Sequence, residues 1–161
     1  MKIGIISDTH NYLHDNIFDY FKDCNEIWHA GDIGSIELLE RLKNKKKTIA
    51  VYGNIDDEIL RKELDEYIII EKGNIKFLII HIAGKPPKYN DKTIKLIKKH
   101  NPDVIVCGHS HILKIEKDQI NNLLFINPGA AGKIGLHKMK TIIRFCIKSN
   151  KIKDMEVIEF L

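Results

Sequence analysis

Short apolar runs rich in Ile and Val recur along the chain, separated by polar segments and glycines. Nine of these runs predict β-strands: KIGIIS, EIWHA, TIAVY, YIIIE, IKFLIIH, DVIVC, LLFIN, TIIRFCI and MEVIEFL. Several have apolar residues at successive positions rather than at every second one, which indicates strands that are buried on both faces. The pattern therefore favours β-sheet that is covered on both sides.

Four segments between the early runs have apolar residues at helical spacing, at about residues 13–22, 35–44, 57–64 and 90–100. The second opens with a serine that suits a helix N-cap, and the fourth stops before a proline. Strands and helices alternate over the first two thirds of the chain, and strands follow one another in the last third. This order predicts an α/β protein. Because no repeat or linker interrupts the 161 residues, we expect one domain over residues 1–161.

The composition argues against a membrane, secreted, disulfide-rich or nucleic-acid-binding protein. No apolar run approaches the ~20 residues that span a bilayer, and the N-terminal residues lack the apolar stretch and cleavage site of a signal peptide. We therefore expect a cytoplasmic protein without a membrane partner. The three cysteines are widely spaced and form no CxxC motif, which argues against a disulfide framework or a thiolate zinc site. The net charge of +4 comes from scattered lysines without interleaved aromatic residues, so nucleic-acid binding is not indicated.

Polar residues with oxygen or nitrogen donors stand at the ends of five predicted strands. They are Asp8 and His10, Asp32, Asn54 and Asp56, His81, and His109 and His111. Because ligands of open α/β sheets bind beyond the carboxyl ends of the strands, these donors are expected at one rim. Taken singly, most of them have an ordinary explanation as a helix cap, a turn residue or a buried histidine. Those explanations do not account for four of the eight histidines falling at these strand ends, with no Lys or Arg among them.

The chemistry of this set is that of a metal site. Asp, Asn and His without Cys suit divalent ions such as Mn²⁺, Fe²⁺, Co²⁺, Ni²⁺ or Zn²⁺. In extended chain, residues two apart lie on the same side, so Asp8 with His10, and His109 with His111, should each aim two donors at one centre. Without Asp56, seven donors remain, which are too many for one tetrahedral zinc. They suit two ions about 3.5–4 Å apart with a bridging carboxylate, which we assign to Asp32.

The ordered motif DTH, GD, GN, H and GHSH resembles that of the calcineurin-like metallophosphoesterase superfamily, in particular its small single-domain phosphodiesterases of bacteria and archaea. The resemblance extends from Asp8 to the NPGA at residues 127–130. It implies a four-layer α/β/β/α sandwich with two mixed β-sheets. It also implies a set of roles: Asp8, His10 and His111 bind the first metal, Asn54, His81 and His109 bind the second, and Asp32 bridges them.

One position departs from the family pattern. Many larger members have a histidine directly after the GN, where it donates a proton to the leaving group, and this chain has Ile55 there. The change points away from phosphomonoesters and towards phosphodiesters. We therefore expect a small phosphoester substrate and a metal-dependent hydrolase that uses a metal-bridging hydroxide. Asp32 and Asn54 would act in catalysis, and Mn²⁺ is the ion we expect first.

Several alternatives stay open. Asn11 either touches the substrate phosphate or caps a helix, and Asp56 either orients a metal ligand or caps its helix. His14 and His137 either reach the mouth of the site or lie at the surface, and we expect the surface. The competing function is a catalytically weak interaction scaffold of the same fold, as in a eukaryotic retromer subunit. A different binuclear hydrolase, acting on amides or thioesters, and a homo-oligomeric state also stay open.

Overall fold

Two five-stranded β-sheets pack face to face in the structure, a computed structural model that describes residues 1–161. The first sheet has the spatial order β12 (Lys151–Phe160), β11 (Lys140–Lys148), β1 (Lys2–Ile6), β2 (Glu26–His29) and β3 (Lys47–Ala50). The second has the order β4 (Tyr67–Lys72), β5 (Ile75–Ile80), β8 (Val104–Val106), β10 (Leu123–Pro128) and β9 (Leu113–Asp118). A separate short ribbon pairs β6 (Gly84–Lys85) with β7 (Lys88–Tyr89).

Both sheets combine a parallel centre with antiparallel additions. Strands β1, β2 and β3 run parallel, and so do β5, β8 and β10. The hairpin of β11 and β12 joins the first sheet antiparallel to β1, while β4 and β9 join the second sheet antiparallel to its parallel strands. The prediction of two mixed sheets is therefore confirmed.

Four helices cover the outer faces: α1 (Ile17–Tyr20), α2 (Ile36–Lys45), α3 (Glu58–Glu63) and α4 (Asp91–His100). Ser35 caps α2 as predicted, by accepting the Leu38 N–H. The first helix is much shorter than the predicted 13–22. The His14 ring accepts the Asn16 N–H, which holds the residues before α1 in a turn. None of the four helices has the length and apolar character that crossing a bilayer would require.

Apolar side chains fill the spaces between the layers in three clusters. The first lies between α1–α3 and the first sheet, the second between the two sheets, and the third between the second sheet and α4. Their largest members are Phe21, Leu39 and Leu42, then Trp28, Phe77 and Phe145, and then Tyr89, Leu96 and Phe125. The layers therefore run α/β/β/α, as the resemblance implies.

The sequence pattern does not predict the strands β6, β7 and β9. The sequence of β9, LKIEKD, contains mainly charged residues, because this strand lies at the edge of its sheet and much of it faces solvent. The last strand begins at Lys151 rather than Met155 for the same reason. All three cysteines are free, and Cys107 is buried as its apolar run indicates.

Candidate metal centre

The predicted donors lie in loops that follow the parallel strands of both sheets. Five of the seven have a backbone φ in the left-handed region: 54° at Asp8, 46° at His10, 55° at Asp32, 70° at His109 and 58° at His111. The expectation that these pairs lie in extended chain is therefore wrong. Non-glycine residues in this region cost about 1–3 kcal/mol each and concentrate at functional sites. The loops thus adopt unfavourable conformations that bring the side chains together.

One cluster contains Asp8, His10 and His111, whose ligand atoms all lie within 4.8 Å of one another. His111 Nε2 lies 3.3 Å from Asp8 Oδ1, and the Nε2 atoms of His10 and His111 are 3.3 Å apart. Asp8 is fully buried, and both its carboxylate oxygens accept the backbone N–H of His109, at 3.2 and 3.0 Å. This bond fixes the carboxylate and ties the loop after β1 to the loop after β8.

A second cluster contains Asp32, His81 and His109, also with ligand atoms within 4.8 Å of one another. Asn54 joins it, because its Oδ1 lies 3.1 Å from His81 Nε2 and 2.9 Å from His109 Nδ1. Asp32 faces both clusters: Oδ1 is 3.2 Å from His81 Nε2, and Oδ2 is 3.6 Å from His10 Nε2. The two Asp/His clusters are consistent with a binuclear metal site.

His81 lies between a backbone carbonyl and the acceptor oxygens of the second cluster. Its Nδ1–H donates to the Ala30 carbonyl at 2.8 Å, which directs Nε2 towards Asp32 and Asn54. Burial alone would lower the pKa of His81, but the hydrogen bond and charge of Asp32 and the charge of Asp8 raise it. Without a metal, a proton on Nε2 satisfies these oxygens, and a divalent ion would take its place.

The two buried carboxylates respond differently to this environment. Burial raises the pKa of Asp8, and the nearby His81 only partly offsets that effect. Burial opposes ionisation of Asp32 too, but its hydrogen bond with His81 and that residue's charge lower its pKa. A cation is the partner that would allow both carboxylates to ionise together.

Comparison with known proteins agrees with this geometry. Residues 1–150 match the calcineurin-like phosphoesterase superfamily domain. The chain belongs to this superfamily. It is 36% identical over 137 residues to a probable metallophosphoesterase of Methanocaldococcus jannaschii, covering 81% of this chain and 68% of that protein.

Solved structures show the same metallophosphoesterase fold. An archaeal phosphodiesterase superposes with a TM-score of 0.77 and 29% identity, covering 99% of this chain and all of that one. The Vps29 protein of Chaetomium thermophilum superposes with a TM-score of 0.78, covering 99% of this chain and 97% of that one. Its identity is only 13%, so it shares the fold alone.

Beside the donors, Asp56 joins the two loops that present Asp32 and Asn54. Its buried carboxylate accepts the N–H groups of Ile33 at 3.2 Å, Gly34 at 2.8 Å and Gly53 at 2.8 Å. The interpretation of Asp56 as a helix cap is wrong, because the neighbouring Asp57 accepts the first N–H groups of α3. The sequence pattern does not distinguish these two adjacent aspartates.

The sequence gives no sign of the role of Arg61 except its residue type. It is one of only three arginines in a chain with 23 lysines. Its guanidinium donates to the carbonyls of Asp56 at 2.7 Å, Asn54 at 3.1 Å and Gly53 at 3.3 Å. A planar group with several donors can make such a set of bonds, whereas a lysine ammonium fits it less well. Arg61 therefore fixes the loop that presents Asn54.

The glycines of the motif allow close approach of the donors. A Cβ at Gly53 would lie 2.0 Å from Asp32 Oδ1, and one at Gly108 would lie 2.7 Å from Asp8 Oδ2. Any side chain at either position would displace a carboxylate of the site. This steric limit explains why GN and GH, rather than other dipeptides, follow β3 and β8.

The remaining predicted residues lie around the centre. Asn11 caps no helix: its Oδ1 accepts the Ser35 hydroxyl at 2.6 Å, and its contact with substrate stays a prediction. His14 packs on Phe160, 5.1 Å between ring centroids, away from the donors. His137 is half-buried and packs against His111, 5.6 Å between centroids, which agrees with the alternative that it reaches the mouth of the site rather than with a surface position.

Proposed function

We propose that the chain is a metal-dependent phosphodiesterase with two divalent ions. The observation that carries this proposal is the arrangement around His81. Its Nδ1–H donates to the Ala30 carbonyl, so Nε2 faces two acceptor oxygens, on Asp32 and Asn54, and either a proton or a metal ion must lie between them. The nitrogens of His81 and His109 and the oxygens of Asp32 and Asn54 converge on one point. Such a set fits a cation, and no lysine or arginine side chain supplies one within the cluster.

The same donor chemistry supports the assignment of each ligand. Asp8, His10 and His111 would hold one ion, Asn54, His81 and His109 the other, and Asp32 would bridge them. We propose Mn²⁺ first, and oxygen and nitrogen donors of this type also accommodate Ni²⁺, Co²⁺, Fe²⁺ and Zn²⁺. When bound, the ions supply charge neutralisation at phosphorus and lower the pKa of coordinated water to about 7.

The protein's own groups position the reaction. The Asn54 amide faces the histidines with Oδ1, which leaves its NH₂ group to donate to a phosphoryl oxygen as negative charge develops there. The residue that follows, Ile55, directs its N–H to Asp32 Oδ1 at 3.1 Å, and its side chain has no proton to give. The site therefore favours esters whose leaving group departs without protonation. Similarity to an archaeal phosphodiesterase supports a diester substrate.

The competing function is that of an interaction scaffold. The likeness to Vps29 shows only that this fold is found beyond the chain's near relatives. The complete set of donors favours the enzyme, because buried carboxylates without a cation cost several kcal/mol. Absence of turnover with each of Mn²⁺, Ni²⁺, Co²⁺ and Zn²⁺ would favour the scaffold instead.

The bridging role of Asp32 gives the sharpest test. We expect the wild type to bind two Mn²⁺ per chain in titration calorimetry and to hydrolyse bis(p-nitrophenyl) phosphate. Asp32→Asn should lose tight binding at both sites and lower kcat/KM by orders of magnitude. The matched control is Asp15→Asn, whose side chain is 97% exposed and should behave as wild type. Normal metal content and normal turnover in Asp32→Asn would refute the assignment.

A further inference from the structure

Three of the proposed metal ligands are each followed directly by an exposed isoleucine. Ile55 follows Asn54 and is 45% exposed, Ile82 follows His81 and is 40% exposed, and Ile112 follows His111 and is 66% exposed. Isolated exposed apolar residues are common on proteins, but several at the entrance of one polar site are not required for folding. They indicate that something apolar enters with the substrate.

One cavity beside the donors combines Ile112 with a further exposed aliphatic side chain, Leu136. It has a volume of about 430 Å³, is partly open to solvent, and its exposed lining is mostly apolar. Its walls are His109, Ser110, His111, Ile112, Leu136 and His137. Two proposed ligands thus form one wall, and two exposed aliphatic side chains form the rim. A phosphate held at the donors would place one of its ester groups directly at this opening.

The loop that carries Leu136 is fitted closely to the site. A Cβ at Gly135, where φ is +129°, would lie 2.4 Å from His111 Nδ1 and 2.8 Å from His137 Nδ1, and these two rings pack against each other. His137 Nε2 also bonds the Gly132 carbonyl at 2.9 Å, which closes the loop on itself. Leu136 is nevertheless fully exposed, so the loop holds an aliphatic side chain in water next to the donors.

A second cavity, of about 350 Å³, lies on the side of Asn54 and His81 and differs in character. Ile82 lines it together with Tyr52, Arg61 and Glu66, and polar and apolar atoms share its surface about equally. A diester has two substituents, and the two cavities offer them unlike surroundings. The apolar substituent therefore belongs in the cavity at Ile112 and Leu136.

We infer that the substrate is a phosphodiester with an aliphatic or aromatic substituent, which the cavity at Ile112 and Leu136 receives. This inference rests on the proposed phosphodiesterase function. The occupant is part of the substrate rather than another protein, because the cavity is continuous with the donors that would hold the phosphate. Moving an apolar substituent out of water into the cavity contributes free energy of binding in proportion to the apolar area that is covered.

The test is a series of alkyl p-nitrophenyl phosphates, from methyl to octyl, with Mn²⁺ and release of nitrophenolate as the readout. A fully buried methylene increases kcat/KM about fourfold, and one that is half covered about twofold. We expect about a twofold rise per methylene until the chain fills the cavity. Leu136→Ser should bring this factor close to one. Because Leu136 is fully exposed, the substitution removes no core contact.

The control is Ile120→Ser, which removes a similar aliphatic side chain that is 78% exposed and lines none of these walls. It should keep the twofold factor of the wild type. A factor of one in the wild type, or an unchanged factor in Leu136→Ser, would overturn the inference while leaving the phosphodiesterase function intact. Failure to hydrolyse any diester with any ion would instead refute that function. A dimer that Leu136→Ser dissociates, with a flat chain-length series, would assign the surface to a second copy of the chain.

Discussion

A buried histidine next to the site, His29, should make the protein lose stability in acid. It lies in β2 and is completely buried, and both ring nitrogens are engaged. Its Nδ1 accepts the Gly31 N–H at 3.2 Å, so Nε2–H donates to the Thr9 hydroxyl at 2.9 Å. Burial, together with the nearby His81, lowers the pKa of His29 from 6.5 to about 3. The native protein therefore holds this ring neutral.

The sign of the effect follows from proton binding. The unfolded chain protonates His29 below pH 6.5, whereas the native chain does so only near pH 3. The stabilisation from the neutral ring is thus complete above pH 6.5 and is lost as the pH falls from there towards 3. At pH 5.0 the loss amounts to about 2 kcal/mol, because one pKa unit corresponds to ~1.36 kcal/mol.

The measurement is urea denaturation in EDTA at pH 7.5 and 5.0, followed by the fluorescence of Trp28, the only tryptophan and a fully buried one. His29→Gln should be less stable than the wild type at pH 7.5, and the gap should narrow by about 2 kcal/mol at pH 5.0. Val51→Ala, at a buried position that does not titrate, should keep a constant gap. A constant gap for His29→Gln as well would show that the native ring takes up a proton as readily as the ring of the unfolded chain, contrary to its contacts.

Three other substitutions test separate parts of the structure. Ile55→His supplies a proton donor beside Asn54 and should raise kcat/KM for p-nitrophenyl phosphate relative to its diester; an unchanged ratio would mean that position 55 does not face the leaving group. Asp56→Asn removes a carboxylate that accepts three N–H bonds and should lower the free energy of unfolding by about 1.5–3 kcal/mol in urea. Phe77→Ala, between the sheets, should cost about 3–5 kcal/mol by the same measurement, and a cost below 1 kcal/mol would contradict its packing.

Much of the fold could be predicted because local sequence and burial agree. The helices α2, α3 and α4 have caps and apolar spacing that a pattern detects, and the buried strands are continuous in Ile and Val. The pattern fails where exposure is high, as at β9 and the start of β12. It also fails at α1, where a histidine ring replaces a helical hydrogen bond. The arrangement in two mixed sheets came only from the family resemblance, and the order of the strands was not predicted, since pairing partners leave little trace in one sequence.

The donor residues themselves could be predicted, but the means of bringing them together could not. A motif shows residue types and their order, while five of the donors reach the site through left-handed backbone that spacing alone does not indicate. The supporting contacts are still less visible. Asp56 binds three N–H groups of two loops, yet its neighbour Asp57 has the same side chain and a different role. Only the tertiary structure distinguishes them.

Each proposed metal position draws ligands from both sheets. Asp8 and His10 follow a strand of the first sheet, and His111 follows a strand of the second. Likewise Asp32 and Asn54 come from the first sheet, and His81 and His109 from the second. The contacts between the two sheets below the site are mainly apolar. At the opposite end, the Lys72 ammonium of β4 donates to the buried Glu26 carboxylate of β2 at 2.7 Å. At the site end, hydrogen bonds link the loops of the two sheets: those of the His109 N–H to Asp8 and of His81 to Ala30, and those of the Ala131 and Gly132 N–H groups to the carbonyls of Ser7 and Asp8. The packed layers beneath the loops hold them in their unfavourable backbone conformations. A bound pair of ions would take its ligands from loops of both sheets and so link them.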